Sequence, residues 1–357
     1  MKSGLAQFVQ RLMDGSERST GALVLRSAAR VVEPFYSGAM SVRNRLYASR
    51  VLKTHRLGRP VISIGNITTG GTGKTPVVRW LAERLRDEGR QVGILSRGYG
   101  SKPGELGDEL TMLDRALNDG SRPVVFLEAN PDRIAGAASL IAHHPEVQVL
   151  LLDDAFQHRR AARDMDIVLI SAVNPFGFGH VLPRGLLREP LSGLSRAGAI
   201  IITHADQQSA EDISQIEGQI RRFNSAAPIY RAVHALVGLS SEFERVPMEA
   251  LSGRRYFVFC GIGNPQALEK PLAAFGDSAG RRWYGDHHDY SAAEIASLNA
   301  EGRAAGADLM VTTEKDWAKI AALPPQDGLL PIWRVEMELR FIDGDGDGLL
   351  TQVRGVL

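Results

Sequence analysis

The sequence predicts an α/β protein with a parallel-sheet domain, a second, smaller α/β domain and an N-terminal amphipathic helical segment. Short apolar strands alternate with helical stretches from Pro60 onward, which is typical of a parallel sheet covered by helices on both faces. A basic stretch with apolar residues at helical spacing precedes the first of these strands. The 357 residues exceed what one hydrophobic core usually supports, so two domains are expected.

Charge is distributed unevenly along the chain. Residues 1–60 contain 11 Lys and Arg against 3 Asp and Glu, whereas the remainder contains 31 against 38. A basic N-terminal arm indicates an anionic partner, either lipid or nucleic acid. Within residues 21–59 the apolar side chains recur loosely at helical spacing, with an interruption at Pro34. Two interpretations remain open here: a helix that lies on a membrane, or a helix packed on the protein's own core.

Composition excludes several classes of protein. The chain is 44% hydrophobic and 23% charged, which is ordinary for a globular protein and excludes a disordered or collagen-like one. The first 20 residues lack the apolar core of a signal peptide, and no apolar run reaches the roughly 18 residues of a spanning helix. The single cysteine, Cys260, excludes an internal disulfide and indicates a reducing compartment. We expect it to be buried at the end of a strand.

The predicted elements fall into two sets. The first has strands at residues 61–65, 92–95, 124–127, 147–152 and 167–170, and helices at 75–88 and 132–143. The second has strands at 200–203, 256–261 and 309–312, and helices at 210–223, after Pro265 and at 291–304. The stretch from Pro183 to Arg196 is rich in Pro, Gly and Arg, and is interpreted as a functional loop or a hinge. The predicted domains are therefore 21–196 and 197–330, with 1–20 and 331–357 as extensions of uncertain role.

A glycine-rich loop after the first strand is the strongest local signal. Glycines let backbone N–H groups surround phosphate oxygens, and the N-terminus of the following helix favours negative charge. Lys74 is expected to reach the β- and γ-phosphates of a nucleotide, and the Thr75 hydroxyl to bind Mg²⁺. Thr68 stands where the strict pattern has glycine, so the loop is nearer the Gly-Gly-x-Gly-Lys-Thr variant. The predicted nucleotide-binding residues are Thr69, Gly70, Gly71, Thr72, Gly73, Lys74 and Thr75.

The first domain is therefore predicted to be of the P-loop NTPase type, and such domains carry a carboxylate at the end of a neighbouring apolar strand. Asp153 and Asp154 follow four apolar residues and are expected at the carboxyl edge of the sheet, close to the metal. A second segment, 203–206, reads Thr-His-Ala-Asp and resembles the guanine-reading Thr-Lys-x-Asp of GTPases. Since His replaces Lys, we interpret it as a strand end and expect ATP rather than GTP.

Further segments at ordered separations complete a specific pattern. They are Ser-Arg-Gly-Tyr-Gly at 96–100, Gly-Asp-Glu at 107–109, Asp-Asp-Ala-Phe-Gln-His at 153–158, Leu-Arg-Glu-Pro-Leu at 187–191, Gly-Ile-Gly-Asn-Pro at 261–265, Asp-His-His at 286–288 and Thr-Glu-Lys-Asp at 313–316. With these segments the chain resembles the tetraacyldisaccharide 4′-kinases of lipid A biosynthesis, from about Val32 to Lys319.

The resemblance implies an activity and its surroundings. The family transfers the γ-phosphoryl group of ATP to the 4′-hydroxyl of a tetraacylated glucosamine disaccharide 1-phosphate. It works peripherally at the cytoplasmic face of the bacterial inner membrane and has its site between two domains. It also carries an N-terminal amphipathic segment, which favours the membrane interpretation of residues 21–59. The expected partners are this lipid and the anionic membrane surface, with no nucleic acid, and a monomer is expected.

Roles for individual residues also follow from the resemblance. Lys74 and Thr75 would hold the phosphates and Mg²⁺, with Asp153 and Asp154 close to the metal. Asp108 would be the general base, supported by His287. The positions that match the acceptor side of the cleft are Arg133, Gln157, His158, Arg188 and Glu189. The chain departs from the family pattern at Ala155, at Gly285 and in the short segment between Tyr99 and Gly107.

Two alternatives compete with this interpretation. A zinc site at residues 286–289 is disfavoured because four consecutive positions rarely converge on one tetrahedral ion. A membrane-associated ATPase switch of the partition or septum-positioning type would also have a Gly-Gly-x-Gly-Lys-Thr loop and an amphipathic helix. Those proteins carry a lysine just before the paired glycines, where this chain has Thr69. A dependence of ATP turnover on a lipid acceptor would separate the two functions.

Overall fold

The computed structural model describes residues 2–98, 108–118, 120, 125–241, 244–262, 265–285 and 288–357. The chain forms two compact units. The larger unit comprises Phe8–Val233 and Leu339–Leu357, and the smaller one comprises Met1–Gln7 and His234–Glu338. Apart from its N-terminal residues, the smaller unit is thus an insertion in the sequence of the larger one.

The larger unit begins within the first helix, whose initial residues are grouped with the smaller unit, and continues with a long helix and an alternation of strands and helices. Its strands are β1 (Val61–Asn66), β2 (Val92–Ser96), β3 (Val125–Ala129), β4 (Val149–Asp153), β5 (Met165–Ser171) and β6 (Ala199–Thr203). Its helices are α1 (Lys2–Asp14), α2 (Thr20–Ala48), α3 (Lys74–Asp87), α4 (Asp108–Leu117), α5 (Arg133–His143) and α6 (Ala210–Arg221).

The smaller unit has the same kind of alternation. Its elements are β7 (Ile229–Ser240), β8 (Arg245–Val246), β9 (Arg255–Cys260), α7 (Gln266–Leu272), β10 (Asp277–Trp283), α8 (Ala292–Ala304), β11 (Leu309–Thr313), α9 (Glu314–Ile320) and β12 (Ile332–Phe341). The boundary residues 233 and 338 lie inside β7 and β12, so both strands contribute to both units. A last helix, α10 (Asp345–Arg354), belongs to the larger unit.

The sheet of the larger unit has the order β7-β6-β5-β1-β4-β2-β3. Every pairing along this order is parallel. All strand carboxyl ends therefore lie on one edge, which is where ligands bind in open α/β sheets. The phosphate-loop strand β1 lies between β4, which ends in Asp153, and β5.

Both faces of this sheet are buried, which explains why its strands are apolar at nearly every position. One face packs against α3, α4 and α10, through side chains such as Leu81, Leu113 and Leu349. The opposite face packs against α5 and α6, through side chains such as Leu140 and Ile216. The prediction of a parallel sheet covered on both sides is confirmed.

In the smaller unit the sheet order is β10-β9-β11-β12-β7, and β8 pairs with β7. The pairings of β9 with β10 and β11, and of β11 with β12, are parallel. Cys260 ends β9 and is fully buried, as expected, and burial raises the pKa of its thiol to about 12.

The N-terminal segment forms one long helix, α2, that starts at the Ser19 cap. The predicted interruption at Pro34 is wrong: the helix continues through it. Proline removes a single main-chain donor, the one that would bond four residues back, and leaves the other turns intact. Along α2 only Ala22 is buried, whereas Phe35 remains 76% exposed. Among the described residues, no helix combines the length and apolar character needed to cross a membrane.

The predicted domain boundary at residues 196 and 197 differs from the boundary in the structure. Residues 197–233 belong to the larger unit because β6 pairs with β5 along its whole length. The C-terminal residues, predicted as an extension, complete the core of the same unit: Leu349 and Val353 of α10 are fully buried. Sequence patterning missed this because α10 begins within a glycine- and aspartate-rich run that is typical of a loop.

Candidate active site

The phosphate loop connects the end of β1 to the start of α3. Gly73 caps α3 with a left-handed backbone (φ 77°) and makes no side-chain capping bond to the first turn. Gly70 also has a positive φ of 115°, and no atom lies within 4 Å of the positions that Cβ atoms would occupy on Gly70 and Gly71. The open helix N-terminus and the free space beside the loop fit the phosphates of a nucleotide.

Asp154, just after β4, is the meeting point of two cationic side chains. Its Oδ1 accepts a hydrogen bond of 2.8 Å from Nη1 of Arg188 and lies 3.6 Å from Nζ of Lys74. Burial alone would raise the pKa of Asp154, but Lys74 and Arg188 hold it below its usual value. The backbone of Asp154 is left-handed (φ 50°), an uncommon conformation for a residue other than glycine. Such conformations are concentrated at ligand sites.

The loop that carries Arg188 is attached directly to the phosphate loop. The main-chain N–H of Thr69 donates to the Leu186 carbonyl at 2.7 Å, and that of Arg188 donates to the Ile67 carbonyl at 2.8 Å. Tyr36 of α2 donates its hydroxyl to the Arg188 carbonyl at 2.8 Å. The stretch predicted as a functional loop or hinge thus fixes the position of Arg188 relative to the phosphate loop.

Glu189 lies beneath this surface and is fully buried. Arg196 donates two hydrogen bonds of 2.9 Å to its carboxylate. Gln157 and Asn44 donate a third and a fourth, at 3.0 and 2.7 Å. Burial would raise the pKa of Glu189, but these donors, Arg196 foremost, keep it below its usual value. Glu189 therefore holds the loop in place, and the expected contact with an acceptor is not what the structure shows.

Arg133 also differs from its expected role. Its side chain is 3% exposed, and its terminal nitrogens donate to the carbonyls of Asn130 and Asp153 at 2.7 and 2.9 Å. It thus braces the end of β4 from inside the fold. In a sequence, an arginine of this kind indicates anion binding. Neither the burial of its side chain nor its carbonyl partners can be predicted from the sequence.

Gln157 and His158 lie between these groups. Gln157 donates to the Asn66 carbonyl at the end of β1, at 3.0 Å, and its side-chain oxygen lies 3.4 Å from Arg188. Burial and the nearby Arg133 guanidinium lower the pKa of His158, so its ring is neutral near pH 7. Sequence reasoning missed Asn66, whose side-chain oxygen lies 3.4 Å from Nζ of Lys74. The sequence did offer one signal for Asn66: it comes directly after a predicted apolar strand.

The donor set at this edge also fits a divalent cation. The Asp153 side chain is buried at the end of β4, beside Asp154, and Thr75 lies in the first turn of α3. Carboxylate and hydroxyl oxygens are the ligands that Mg²⁺ prefers. Asp108 begins α4, but its side chain, together with Asp286 and His287, lies outside the described part of the structure. The predicted pairing of Asp108 with His287 therefore stays a prediction, and so does the expectation that residues 286–289 do not form a zinc site.

Comparison with known proteins decides the family. The sequence model of the tetraacyldisaccharide-1-P 4′-kinases matches residues 25–356, nearly the whole chain. The chain belongs to this family. A tetraacyldisaccharide 4′-kinase of Anaeromyxobacter dehalogenans is 38% identical over 330 residues, covering 87% of this chain and 85% of its own. The enzyme of that name from Geobacter metallireducens is 38% identical over 318 residues, covering 85% and 91%.

A solved structure agrees with this assignment. The crystal structure of LpxK from Aquifex aeolicus, described as an apo form in complex with ATP, superposes on this chain with a TM-score of 0.70 at 27% sequence identity. The match covers 93% of this chain and 99% of that one. It confirms the predicted α/β class, and the family match confirms the resemblance drawn from the ordered motifs.

The buried pair of Glu189 and Arg196 leads to a stability prediction. We expect Arg196→Gln to lower the free energy of unfolding by about 3–5 kcal/mol, because it leaves a buried carboxylate without its main partner. Since the folded pKa of Glu189 is lowered, its stabilisation is present above the unfolded pKa and lost as pH falls through the folded pKa. The difference between wild type and variant should therefore shrink in acid.

Urea unfolding at pH 7 and at pH 4 measures both effects. Arg79→Gln is the matched control, because it removes an arginine from a half-exposed pair with Glu83 and should cost about 0.5 kcal/mol or less. Equal losses for the two variants would contradict a structural role for the buried pair.

Proposed function

We propose that this protein transfers the γ-phosphoryl group of ATP to the 4′-hydroxyl of a tetraacylated glucosamine disaccharide 1-phosphate. The observation that carries the proposal is the convergence of Lys74 and Arg188 on Asp154, in a chain that matches the 4′-kinase family over residues 25–356. Phosphoryl transfer depends mainly on positioning and on neutralising charge, and this cluster provides both. The alternative, an ATPase switch without an acceptor, has no use for the Arg188 loop.

The chain's own residues would act in a defined order. Without nucleotide, Lys74 and Arg188 neutralise Asp154. A triphosphate in the loop would offer both cations a second anionic partner, and Asp154 would then be available to a metal. Mg²⁺, held by Thr75, Asp153 and Asp154, would neutralise charge on the phosphoryl group. Gln157 would keep Arg188 aimed at the transferred group, because the same side chain is fixed to the end of β1.

The acceptor side requires a base, since a sugar hydroxyl is a weak nucleophile at neutral pH. We assign this role to Asp108, with His287 as its positioning partner, on the family resemblance. His158 and Arg188 remain candidates for contacts with the acceptor, because both side chains are partly exposed. Arg133 and Glu189 are buried and would act indirectly. Arg133 would hold the end of β4, and Glu189 would hold the loop that carries Arg188.

The lipid acceptor implies a membrane surface, and α2 supports this part of the proposal. Val24, Val31 and Phe35 are 64%, 66% and 76% exposed, respectively. Apolar side chains on a basic amphipathic helix can insert at the level of lipid headgroups. We propose peripheral binding of a monomer at the cytoplasmic face of the bacterial inner membrane, without a nucleic-acid partner.

Phosphoryl transfer and the role of the phosphate loop are tested together. Radiolabelled ATP, Mg²⁺ and the disaccharide 1-phosphate lipid should yield a labelled lipid with the wild-type protein. Lys74→Ala and Thr75→Ala should abolish labelling without unfolding the protein, as should a chelator. Arg222→Ala removes an exposed charge far along the chain and should behave as wild type. Full activity of Lys74→Ala at saturating ATP, or rapid ATP hydrolysis that ignores the lipid, would reject the proposal.

Asp108 and His287 should behave as one unit. We expect Asp108→Ala to lower kcat by roughly 10²–10⁴-fold while changing the KM for ATP little, because nucleotide binding rests on the phosphate loop. The double alanine variant should be barely slower than the worse single variant. Steady-state kinetics of the three variants measure this. Losses that multiply, or a main effect on ATP affinity, would assign Asp108 to metal binding or structure.

Membrane binding should depend on charge and on the exposed apolar side chains. The protein should sediment with anionic liposomes at low salt and be released at high salt, since each basic residue contributes on the order of 1 kcal/mol at such a surface. Phe35→Glu should weaken sedimentation, because it places a charge where an apolar side chain would insert. Val173→Glu is the control, as Val173 is also exposed (51%) but lies outside α2. If the protein binds neutral liposomes as well as anionic ones, and salt does not change the binding, the electrostatic part of the proposal is wrong.

A further inference from the structure

Three of the ordered motifs lie in the smaller unit, and the proposed function uses only one histidine of one of them. They are Gly-Ile-Gly-Asn-Pro at 261–265, Asp-His-His at 286–288 and Thr-Glu-Lys-Asp at 313–316. The first follows β9, the second follows β10 and the third begins at the last residue of β11. Since β9 pairs in parallel with both β10 and β11, the three motifs meet at one edge of the smaller sheet.

Asp316 of α9 connects the described parts of these segments. It is 1% exposed, and both of its carboxylate oxygens accept from the main-chain N–H of Gly261, at 3.1 Å each. The Tyr290 hydroxyl donates to Oδ1 at 3.1 Å, and the Thr313 hydroxyl donates to Oδ2 at 2.6 Å. Burial and the neighbouring Asp316 carboxylate raise the pKa of Tyr290, so its hydroxyl stays protonated and remains a donor. One buried carboxylate thus fixes three segments relative to one another.

Gly261 lies in close contact with the turn that follows β10. A Cβ atom at this position would lie 2.9 Å from the Cβ of His288 and 3.1 Å from the carbonyl oxygen of Gly285. It would also lie 3.1 Å from Oδ1 of Asp316. The first distance is well below the separation at which two carbon atoms attract each other, so a methyl group here would displace the turn. Glycine permits this close approach because it has no Cβ.

Lys319, further along α9, is bonded to the other side of the same turn. Its Nζ donates to the His288 carbonyl at 2.8 Å and to Oδ1 of Asp289 at 3.0 Å. The Lys319 side chain is only 17% exposed, which leaves it little freedom to adopt another position. The N–H of His288 donates to the Gly285 carbonyl at 3.1 Å. The main chain of His288 is therefore fixed at both its N–H and its carbonyl.

The ring of His288 is held as well. It stacks on Tyr284 with ring centroids 4.3 Å apart, and it meets Tyr290 edge-on at 4.8 Å. Its Nε2 lies 3.1 Å from Oε1 of Glu294 on α8. All of these partners belong to the smaller unit. His288 thus has a structural role in the turn, and the chain immediately after position 287 is held by its main chain and its side chain together.

We propose that these contacts position His287 for the reaction. Gly261, Asp316 and Lys319 are positioning residues, which act by fixing the main chain on both sides of it. The inference rests on the proposed function, in which His287 supports the base Asp108. An imidazole can orient a base only if its own main chain is held within a fraction of an ångström, and this attachment to α9 provides such a support. The Gly-Ile-Gly and Thr-Glu-Lys-Asp motifs thereby acquire a role.

The order of the turn is measured first, without any substrate. Hydrogen exchange is followed in peptides covering residues 284–291 of the full-length protein. Lys319→Met removes two hydrogen bonds, whereas Gly261→Ala adds a methyl group and removes no polar group. We expect exchange in this region to be roughly tenfold faster in both variants, because a charge-assisted hydrogen bond or a close contact is lost. Lys319→Arg keeps donors for both oxygens and should exchange like the wild type.

Arg303→Met is the matched control. Arg303 also donates to a main-chain carbonyl of the smaller unit, that of Gly328, at 2.9 Å, but the loop it holds is a different one. Its removal should leave the exchange of residues 284–291 unchanged, and kcat as well.

Phosphoryl transfer to the lipid is then assayed with the same proteins. Lys319→Met and Gly261→Ala should lower kcat by about 10–100-fold and leave the KM for ATP unchanged, because a displacement of about 1 Å near the reacting groups has effects of that size. In the His287→Ala background, Lys319→Met should lower kcat no further, since the group through which it acts is already gone.

Three outcomes overturn the proposal. They are wild-type exchange in both variants, an unchanged kcat, and a kcat loss from Lys319→Met that persists in full in the His287→Ala background. In the last case Lys319 would act through another group. If the wild-type protein labels no lipid, the proposed kinase function is wrong and His287 has no reaction to serve. Faster exchange in the variants would still support the attachment of the turn to α9, so the two failures are distinguishable.

Discussion

The geometry of the site depends on one buried carboxylate. Glu189 receives hydrogen bonds from Arg196 within its own loop, from Gln157 after β4 and from Asn44 on α2. Three segments that are distant in the sequence therefore converge on a single ionised group. Such a group is costly to bury and stabilises the fold only while every donor is present. Because Arg188 is the preceding residue, the same contacts that satisfy Glu189 also determine where the site's second cation lies.

A complementary constraint acts at Asp154. Its pKa is lowered by the attraction of Lys74 and Arg188, and its backbone is left-handed. These three groups carry a net charge of +1, so the resting site is cationic, and Lys74 is already held at the start of α3, next to the phosphate loop. Binding of a polyanion would exchange one set of charge pairs for another, so little reorganisation is needed.

Much of this arrangement could be predicted from local sequence. The phosphate loop, the acidic pair and the strand limits follow from glycine spacing and continuous apolar runs, which depend only on neighbouring residues. The roles of Arg133 and Glu189 could not be predicted, because their burial depends on partners such as Asn44, 145 residues away from Glu189. The predicted position of the domain boundary differs from the observed one for a similar reason, because the pairing of β6 with β5 is a tertiary contact. The Thr-His-Ala-Asp segment at 203–206 is visible in the sequence, but the hydrogen bond from Thr203 to the Thr72 carbonyl is visible only in the fold.

The return of the chain to the larger unit has a consequence for biosynthesis. Leu349 and Val353 of α10 are buried on the sheet face that α3 also covers. A ribosome supplies these side chains only after residues 234–338 have been made. Until then the face beside α3 lacks part of its cover, and the nascent P-loop unit exposes apolar surface that is prone to aggregation. Removal of residues 346–357 would thus leave the larger unit without a closed core, although the residues of the candidate site would be present.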